Sequence, residues 1–469
     1  MRVLLLIISC VLTISVKAND TATVLTPEQY IQTIVKFHPF AKQAQLFLQE
    51  AKAQLLSAKG ALDPEIAFDF DNKTLDGKRY FQYINPSVKI PLWYGIELKA
   101  ETNNVLGNNT ANELTYGNSS LVGISLPLLS GLVMNKKMAT LKQAKNNIQL
   151  SKQEQILQVN NLLTDATKAY WNWALNYQLY QNILQAKQIS YDRFLFTKRF
   201  YEVGERPAID TTEAYTQFKL LEYETQNAYY DWLKSTIELS YYLWNENEEN
   251  VFVKENVIPI NIQQFNFIDS LQLPSIAELE QLVLKHPKLN SLDIKLKNLE
   301  IERKLKKQQL LPTLNANYNF INNSFNLFRN ESNKNLLVNN YKIGIQFNMP
   351  LLFRQSRGEY KQTKIKIENT RLDKILAEAN IAVKVKTYFN DMIALKEKIK
   401  LYTDAFIGYN TLLNAEISRL NNGESSLFLI NARQNKVIEA QQKLVELKTK
   451  FLEYNASIYF IAGSWTEIK

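Results

Sequence analysis

The chain contains 469 residues, of which 46% are hydrophobic and 22% charged, and its formal net charge is +9. This excess is spread over a long chain, so it indicates a mixed solvated surface and excludes a concentrated nucleic-acid-binding stripe. Cys10 is the only cysteine, which excludes an internal disulfide and a thiolate metal site. Thirteen glycines and the lack of a serine- or proline-rich linker argue against a string of small β domains.

Residues 1–18 have the features of a secretory signal peptide. A positively charged start precedes an apolar core at residues 3–16, and a small-residue cleavage site ends at Ala18. We therefore expect cleavage after Ala18. The competing interpretation is a lipoprotein signal with a lipidated Cys10, because residues 7–10 loosely fit a lipobox. The apolar stretch continues beyond Cys10, which argues against that interpretation.

Two long helices dominate the prediction. Residues 133–203 contain no proline, and apolar residues recur there in steps of three and four, as in a coiled coil. Residues 353–422 show the same spacing, and at 1.5 Å per residue each stretch makes a helix roughly 100 Å long. The predicted seams are Ile156, Val159, Leu163, Ala166, Tyr170, Trp173, Tyr177, Tyr180 and Leu184 in the first stretch, and Ala382, Val385, Phe389, Met392, Ile399, Phe406, Leu413, Ile417 and Leu420 in the second.

Each long helix is expected to reverse at a glycine. Glycine tolerates the left-handed backbone that such a reversal requires. A returning helix is predicted from Gly204 to about residue 244, and another from Gly423 to about residue 461. Shorter helices are predicted at residues 28–59 and 276–309, each ahead of a strand region, and the whole chain is expected to be predominantly helical.

Three segments alternate apolar and polar residues, which predicts strands with two different faces. They are residues 65–71, 313–321 and 342–349. With the export signal, the alternation favours a lipid-embedded barrel with a polar, water-filled interior over a half-buried soluble sheet. No run of about 18 apolar residues follows the signal, so entry into a membrane would require a closed barrel. Strand is expected only within about 65–127 and 313–350.

Two further segments are less clear. Residues 80–101 add alternation that the pattern does not place, either as an extension of a strand beyond the membrane or as an external hairpin. Residues 245–273 are rich in Asn and Glu and are predicted to be a surface linker with short structure.

The chain contains one helix–strand–strand–helix unit twice. A single copy of this unit could not bury its own apolar faces. The only histidines, His38 and His286, are each followed by proline and lie 248 residues apart, as do Pro64 and Pro312. A helix boundary explains both histidines better than metal ligation. Further matched motifs are Pro127-Leu128-Leu129 with Pro350-Leu351-Leu352, and Gly204-Glu205 with Gly423-Glu424. We therefore divide the chain into a signal peptide (1–18), a first repeat (19–245), a linker (246–273) and a second repeat (274–469).

With these elements in this order, the mature chain resembles the TolC family of outer-membrane efflux and secretion channels from end to end. The His-Pro pairs, proline-led strands, Pro-Leu-Leu motifs and glycine hairpins carry the resemblance; each is weak alone, but their duplicated order is specific. The resemblance implies a mainly α fold with membrane β. In it, a duplicated helix-strand-strand-helix repeat forms a trimeric transmembrane β-barrel, with four strands from each protomer, and a long periplasmic α-helical coiled-coil barrel.

The resemblance also implies the function of a passive exit duct in a tripartite efflux or type I secretion system. Such a duct lies in the outer membrane of a Gram-negative bacterium, contacts outer-membrane lipid and extends into the periplasm. The implied partners are two further copies of the chain in a homotrimer, a periplasmic adaptor (membrane fusion) protein and an inner-membrane RND or ABC transporter. The glycine hairpins form the tip at which the adaptor docks. The expected docking residues are Arg199, Gly204, Glu205, Arg206, Arg419, Gly423 and Glu424.

The periplasmic gate departs from the family pattern. The family often places aspartates on the inner helix of the second hairpin, but residues 425–432 contain no acid here. Asp210 and Glu213 lie on the first hairpin instead. An apolar gate is favoured, with Phe428 and Asn431 where the three copies meet and both acids facing solvent. The ionic alternative through Asp210 and Glu213 stays open.

The sequence contains no phosphate-binding loop and no nucleophile elbow, so we expect no enzyme activity, cofactor or metal. Asp69 and Asp71 share a strand face and are assigned to pore lining and not to a catalytic pair. The alternative functions are a periplasmic adaptor, which would carry one hairpin between β domains, and a coiled-coil scaffold, which would lack the strands. The sequence does not identify the cargo, be it drug, metal or protein.

Overall fold

The computed structural model describes residues 23–107, 116–262, 273–322 and 340–463. The signal peptide and Cys10 lie outside these ranges, as do residues 263–272 of the predicted linker. The chain divides into two compact units. The first unit contains the segments up to Pro39, Leu163–Leu273 and Asn390–Ser457; the second contains Phe40–Leu162, Pro274–Phe389 and the segment from Ile458.

The described residues are mostly helical, and the two long helices are confirmed. They are Lys136–Glu202 and Arg354–Asn421, of 67 and 68 residues. The helices are α1 (Pro27–Phe37), α2 (Pro39–Gly60), α3 (Lys136–Glu202), α4 (Ala208–Ser240), α5 (Ile276–Leu284), α6 (Pro287–Gln308), α7 (Arg354–Asn421) and α8 (Leu427–Ile461).

The apolar seam predicted for α3 is buried in the first unit as far as Trp173, whereas Tyr177, Tyr180 and Leu184 are half-buried. Leu163, Ala166 and Trp173 have no exposed surface. Burying a large apolar side chain contributes about 1.5–3 kcal/mol, but the indole N–H of a tryptophan must then find an acceptor. Nε1 of Trp173 donates a 3.0 Å hydrogen bond to Oγ1 of Thr236, which joins α3 to α4.

The seam predicted for α7 is confirmed in its middle and wrong near its end. Val385, Met392 and Ile399 are buried, as predicted. Ile417 is exposed, however, and the neighbouring Glu416 is buried instead. A three-residue step from Leu413 leads to Glu416 and a four-residue step to Ile417; the helix uses the shorter step because the Glu416 carboxylate has polar partners.

Both His-Pro pairs mark helix boundaries, as predicted. His38 follows α1, and its backbone N–H donates to the Ile34 carbonyl at 3.0 Å. His286 caps the start of α6, where its Nδ1 accepts a 3.1 Å hydrogen bond from the Lys288 N–H. Proline suits the first position of the helix that follows, because that position needs no N–H donor. Burial lowers the pKa of His38 and lowers the pKa of His286 to about 4.

One antiparallel sheet lies in the second unit. Its strands pair in the order β2-β3-β4-β5-β7-β8. A separate parallel pair, β1 with β6, lies in the first unit, so the prediction that strand is confined to about 65–127 and 313–350 is wrong for these two short strands. The strands are β1 (Thr23–Leu25), β2 (Glu65–Leu75), β3 (Lys78–Pro91), β4 (Glu97–Leu106), β5 (Gly117–Pro127), β6 (Val257–Pro259), β7 (Thr313–Asn322) and β8 (Tyr341–Asn348).

The alternation that the sequence left unplaced at residues 80–101 belongs to β3 and β4. These strands form a hairpin inside the sheet, and the chain reverses between them at Trp93–Gly95. Tyr94 and Gly95 take left-handed φ values of +61° and +77° there. Within the described residues the sheet therefore has six strands, two more than the four per protomer that the family resemblance implies for the barrel. None of the helices in the described part of the chain has an apolar stretch sufficient to cross a bilayer.

Candidate functional site

The two long helices end in turns of the same geometry, both in the first unit. After α3, the N–H of Gly204 donates to the Tyr201 carbonyl at 2.9 Å, and the N–H of Glu205 to the Phe200 carbonyl at 2.9 Å. After α7, Gly423 and Glu424 repeat this pattern with Leu420 and Arg419 at 3.1 and 2.9 Å. This is the Schellman motif, whose left-handed position favours glycine. Gly204 and Gly423 have φ of +80° and +78°.

The predicted docking residues surround these turns. The exposed ones are Arg199, Gly204, Glu205, Arg419, Gly423 and Glu424. Arg206 is half-buried and forms a 3.2 Å ion pair with Asp210. At the second turn, Nη2 of Arg419 donates to the Glu424 carbonyl at 3.4 Å. Each turn thus presents backbone and charge to solvent, with one of its arginines held in place.

A polar network, which we call the Arg193 network, joins α3, α4 and α8 within the first unit. Nη1 of Arg193 donates to Oδ1 of Asn431 at 3.1 Å and to Oε1 of Gln434 at 2.5 Å. Nδ2 of Asn431 donates in turn to Oε1 of Glu213 at 3.3 Å. A second bond, from Nε2 of Gln217 to Oδ1 of Asn435 at 2.8 Å, lies beside it. Burial lowers the pKa of the Arg193 guanidinium.

The structure thus places the four predicted gate residues in different environments. Asn431 and Glu213 meet in the Arg193 network, with Asn431 buried and Glu213 half-buried. Asp210 is half-buried beside Arg206, so neither acid faces solvent freely. Phe428 is 66% exposed, although its neighbour Leu427 is buried.

Sequence reasoning missed a buried acid at the second turn. Oε1 of Glu416 accepts a 2.6 Å hydrogen bond from Oγ of Ser425, which closes the turn between α7 and α8. Its carboxylate also lies 3.8 Å from Arg419 and 3.9 Å from Arg433. Residues 425–432 contain no acid, but a carboxylate from the preceding helix contacts the first of them. The ambiguous step after Leu413 was the only signal that pointed to this residue.

The sheet in the second unit has one apolar and one polar face. A row of paired residues crosses all six strands on each face. The apolar row is Ile66, Val88, Ala100, Val122, Phe320 and Tyr341, and the polar row is Glu65, Lys89, Lys99, Gly123, Asn319 and Lys342. The predicted alternation of β2, β7 and β8 is confirmed by this register, with Asp69 and Asp71 on the polar face.

The polar face contains a pocket of about 400 Å³ lined mainly by charged, polar and glycine residues, together with Leu98 and Ile124. The side chain of Asn319 lies directly over the backbone of Gly123, where a methyl group would meet Oδ1 of Asn319. Lys99 pairs with Glu101 on the same face. Within the described residues, no group of three or more His, Cys, Asp or Glu side chains could hold a metal ion. The face therefore offers hydrogen-bonding groups and charge to solvent.

Three solved channel structures share this fold. The outer membrane channel CmeC of Campylobacter jejuni is 12% identical, with a TM-score of 0.65 over 94% of this chain and 87% of that chain. VceC of Vibrio cholerae is 12% identical, with a TM-score of 0.62 over 93% and 96%. The open state of the MtrE channel of Neisseria gonorrhoeae is also 12% identical, with a TM-score of 0.63 over 94% and 91%. At this identity the likeness establishes the fold.

A comparison with curated protein sequences finds no match. The family model described as outer membrane efflux protein matches residues 279–464, which include most of α5 and all of α6, β7, β8, α7 and α8. By this match over its second half, and by its fold, the chain is similar to the outer membrane efflux proteins.

Proposed function

We propose that the chain is the outer-membrane exit duct of a tripartite efflux or type I secretion system. One observation carries this proposal: the same chain contains a sheet with one apolar and one polar face, and two long helical hairpins that end in exposed glycine turns. The family consists of transport proteins and not of enzymes, as expected from the sequence.

The working form is a homotrimer in the outer membrane of a Gram-negative bacterium, extending into the periplasm. A sheet with two open edges cannot lie in lipid, because its unpaired backbone groups would have no partner there. Copies of the chain close it into a β-barrel with the apolar row towards lipid, and the long helices form an α-helical barrel. The repeats at 19–245 and 274–469 arise by duplication, which the matched hydrogen bonds of the two glycine turns support.

The exposed turns dock a periplasmic adaptor protein, through which an inner-membrane RND or ABC transporter drives export. Arg199, Glu205, Arg419 and Glu424 present charge at the turns, and Arg206 is positioned by Asp210. The transporter selects the cargo, whether drug, metal or protein.

The closed gate is apolar and involves Phe428, which is exposed on a single chain and would contact its equivalents in the trimer. Asn431 and Glu213 act indirectly, since they hold α8 against α4. Single-channel conductance of Phe428→Ala should rise, whereas Asp210→Asn/Glu213→Gln should respond less. The reverse result would favour the ionic gate.

Localisation and export assays test the proposed function. The protein should fractionate with the outer membrane, migrate as a heat-sensitive oligomer and be required for export. Arg419→Glu should reduce adaptor cross-linking and export, while Lys443→Glu, the same reversal of charge away from the turn on α8, should not. A soluble periplasmic monomer would instead indicate an adaptor or a coiled-coil scaffold.

A further inference from the structure

The sheet contains a hairpin that a four-stranded protomer would lack. β3 and β4 lie between β2 and β5 in the sheet as well as in the chain. β3 pairs with β2 over almost its full length, and β4 pairs with β5 from Glu97 to Val105. Because both strands are paired on both sides, the hairpin is an integral part of the wall.

The two edge strands of this sheet are complementary. All five neighbouring pairs are antiparallel, so in a sheet of six strands the edges β2 and β8 run in opposite directions. β8 of one copy can therefore pair antiparallel with β2 of the next. On the polar face, β2 carries the acids Glu65, Asp69 and Asp71 and one base, Lys73, so that its net charge is negative, whereas β8 carries Lys342.

The apolar face continues to both edges. Ile66 and Phe68 on β2 are 82% and 66% exposed, and Ile343 and Ile345 on β8 are 59% and 71% exposed. An edge strand of this length with exposed apolar residues invites pairing with another strand. A second copy of the same chain offers the matching direction, the matching faces and the opposite charge.

We propose that three copies of this chain close a barrel of 18 strands, through β8-to-β2 junctions at which Lys342 faces the acidic residues of β2. This inference rests on the proposed trimeric duct and adds the composition of its wall. The lumen is lined by the polar row, including Lys89, Lys99 and Asn319.

The added hairpin changes the width of the pore. Strands spaced about 4.8 Å apart and tilted by about 40° each occupy about 6.3 Å of circumference, so 18 strands enclose a backbone cylinder roughly 36 Å across and 12 strands one roughly 24 Å across. The cross-section inside the backbone is then about twice as large. The outer-membrane part of this duct would accept bulkier solutes than a 12-stranded barrel.

Cross-linking in the full-length chain tests the junction, with Cys10→Ser as background. Lys342→Cys is combined with Asp69→Cys on β2, or with Glu101→Cys on β4, and treated with a short bismaleimide in isolated outer membranes. We expect covalent dimers and trimers for the β8–β2 pair and none for the β8–β4 pair. Asn319→Cys with Lys342→Cys is the matched control. These residues pair within one chain, so the reagent should link them without forming covalent dimers or trimers.

Electron cryomicroscopy of the purified oligomer in lipid nanodiscs gives the strand number directly. We expect 18 strands, and 12 in a variant that lacks residues 78–106, which keeps the alternating direction of the remaining four strands. A count of 12 in the full-length chain, or β8–β4 cross-links, would overturn the inference and leave the exit duct intact. Loss of the outer-membrane trimer altogether would instead count against the proposed function. If the shortened variant does not assemble, the strand count and the cross-links of the full-length protein decide whether the barrel has 18 strands.

Discussion

Replacement of Arg193 by methionine should loosen the contact between the two helical hairpins. Methionine keeps the length and the helix propensity of the side chain but removes the donors to Asn431 and Gln434. Both partners are buried, and each buried acceptor that loses its donor costs about 1–3 kcal/mol. The two acceptors belong to one network, so their losses add only in part, and the start of α8 should be destabilised by about 2–4 kcal/mol against local opening.

Hydrogen exchange with mass spectrometry measures this opening in the assembled protein. A cost of about 2–4 kcal/mol corresponds to roughly 30- to 700-fold faster exchange of the amides at residues 427–436. Arg199→Met is the matched control, because Arg199 lies on the same helix and is exposed. Its exchange should match that of the unchanged protein. Equal exchange in both variants would show that the Arg193 network does not hold α8.

Three further variants test other contacts. Gly463→Ala should lower the melting temperature, because its methyl group would lie 2.7 Å from the His286 ring and the backbone there has a φ of +82°. Gly358→Ala is the control: Gly358 lies in open space on a helix, so this variant should be more stable by about 0.5–1 kcal/mol. Melting temperatures that shift in the same direction would refute this contrast. Glu416→Ala should make the second turn more susceptible to limited proteolysis, because the buried Glu416 carboxylate accepts a 2.6 Å hydrogen bond there. Glu424→Ala, at an exposed position, should leave the cleavage rate unchanged. Equal cleavage rates in the two variants would argue against a stabilising role for the bond. Burial lowers the folded-state pKa of His286 from 6.5 to about 4, so the unfolded chain binds the proton first and stability falls as the pH drops from about 6.5 to 4. His286→Asn keeps the helix cap and should show a smaller loss of melting temperature between pH 7.5 and 4.5; an unchanged loss would exclude His286 as its cause.

The long helices and their turns could be predicted because their signals are local. A three–four spacing of apolar residues requires only one helix to explain it, and a glycine at the end of such a run marks the reversal. Gly204 and Gly423 stand where the backbone becomes left-handed. The strand faces were predictable for the same reason, since alternation in β7 is independent of the strand beside it.

The number of strands and the polar contacts could not be predicted from the sequence, because they depend on residues far apart in the chain. Residues 80–101 alternate, but their place in the sheet is fixed by pairing with β2 and β5, which the alternation cannot specify. Arg193 and Gln434 are 241 positions apart, and nothing in either local sequence links them. Glu416 was missed because hydrophobicity favours Ile417, whereas a partner on the far side of a turn stabilises the acid.

The parallel pair of β1 and β6 has a consequence for the order in which the chain folds. Thr23 pairs with Val257, so more than 200 residues must be available before this contact can form. The entropy of closing so long a loop makes such contacts slow to form, and three residues on each strand return little energy for it. Oη of Tyr170 reinforces the pair with a 2.7 Å hydrogen bond to the Leu25 carbonyl, but only after α3 is present. During synthesis and translocation the segment around Thr23 therefore stays open to proteases and chaperones until the first half of the chain has emerged.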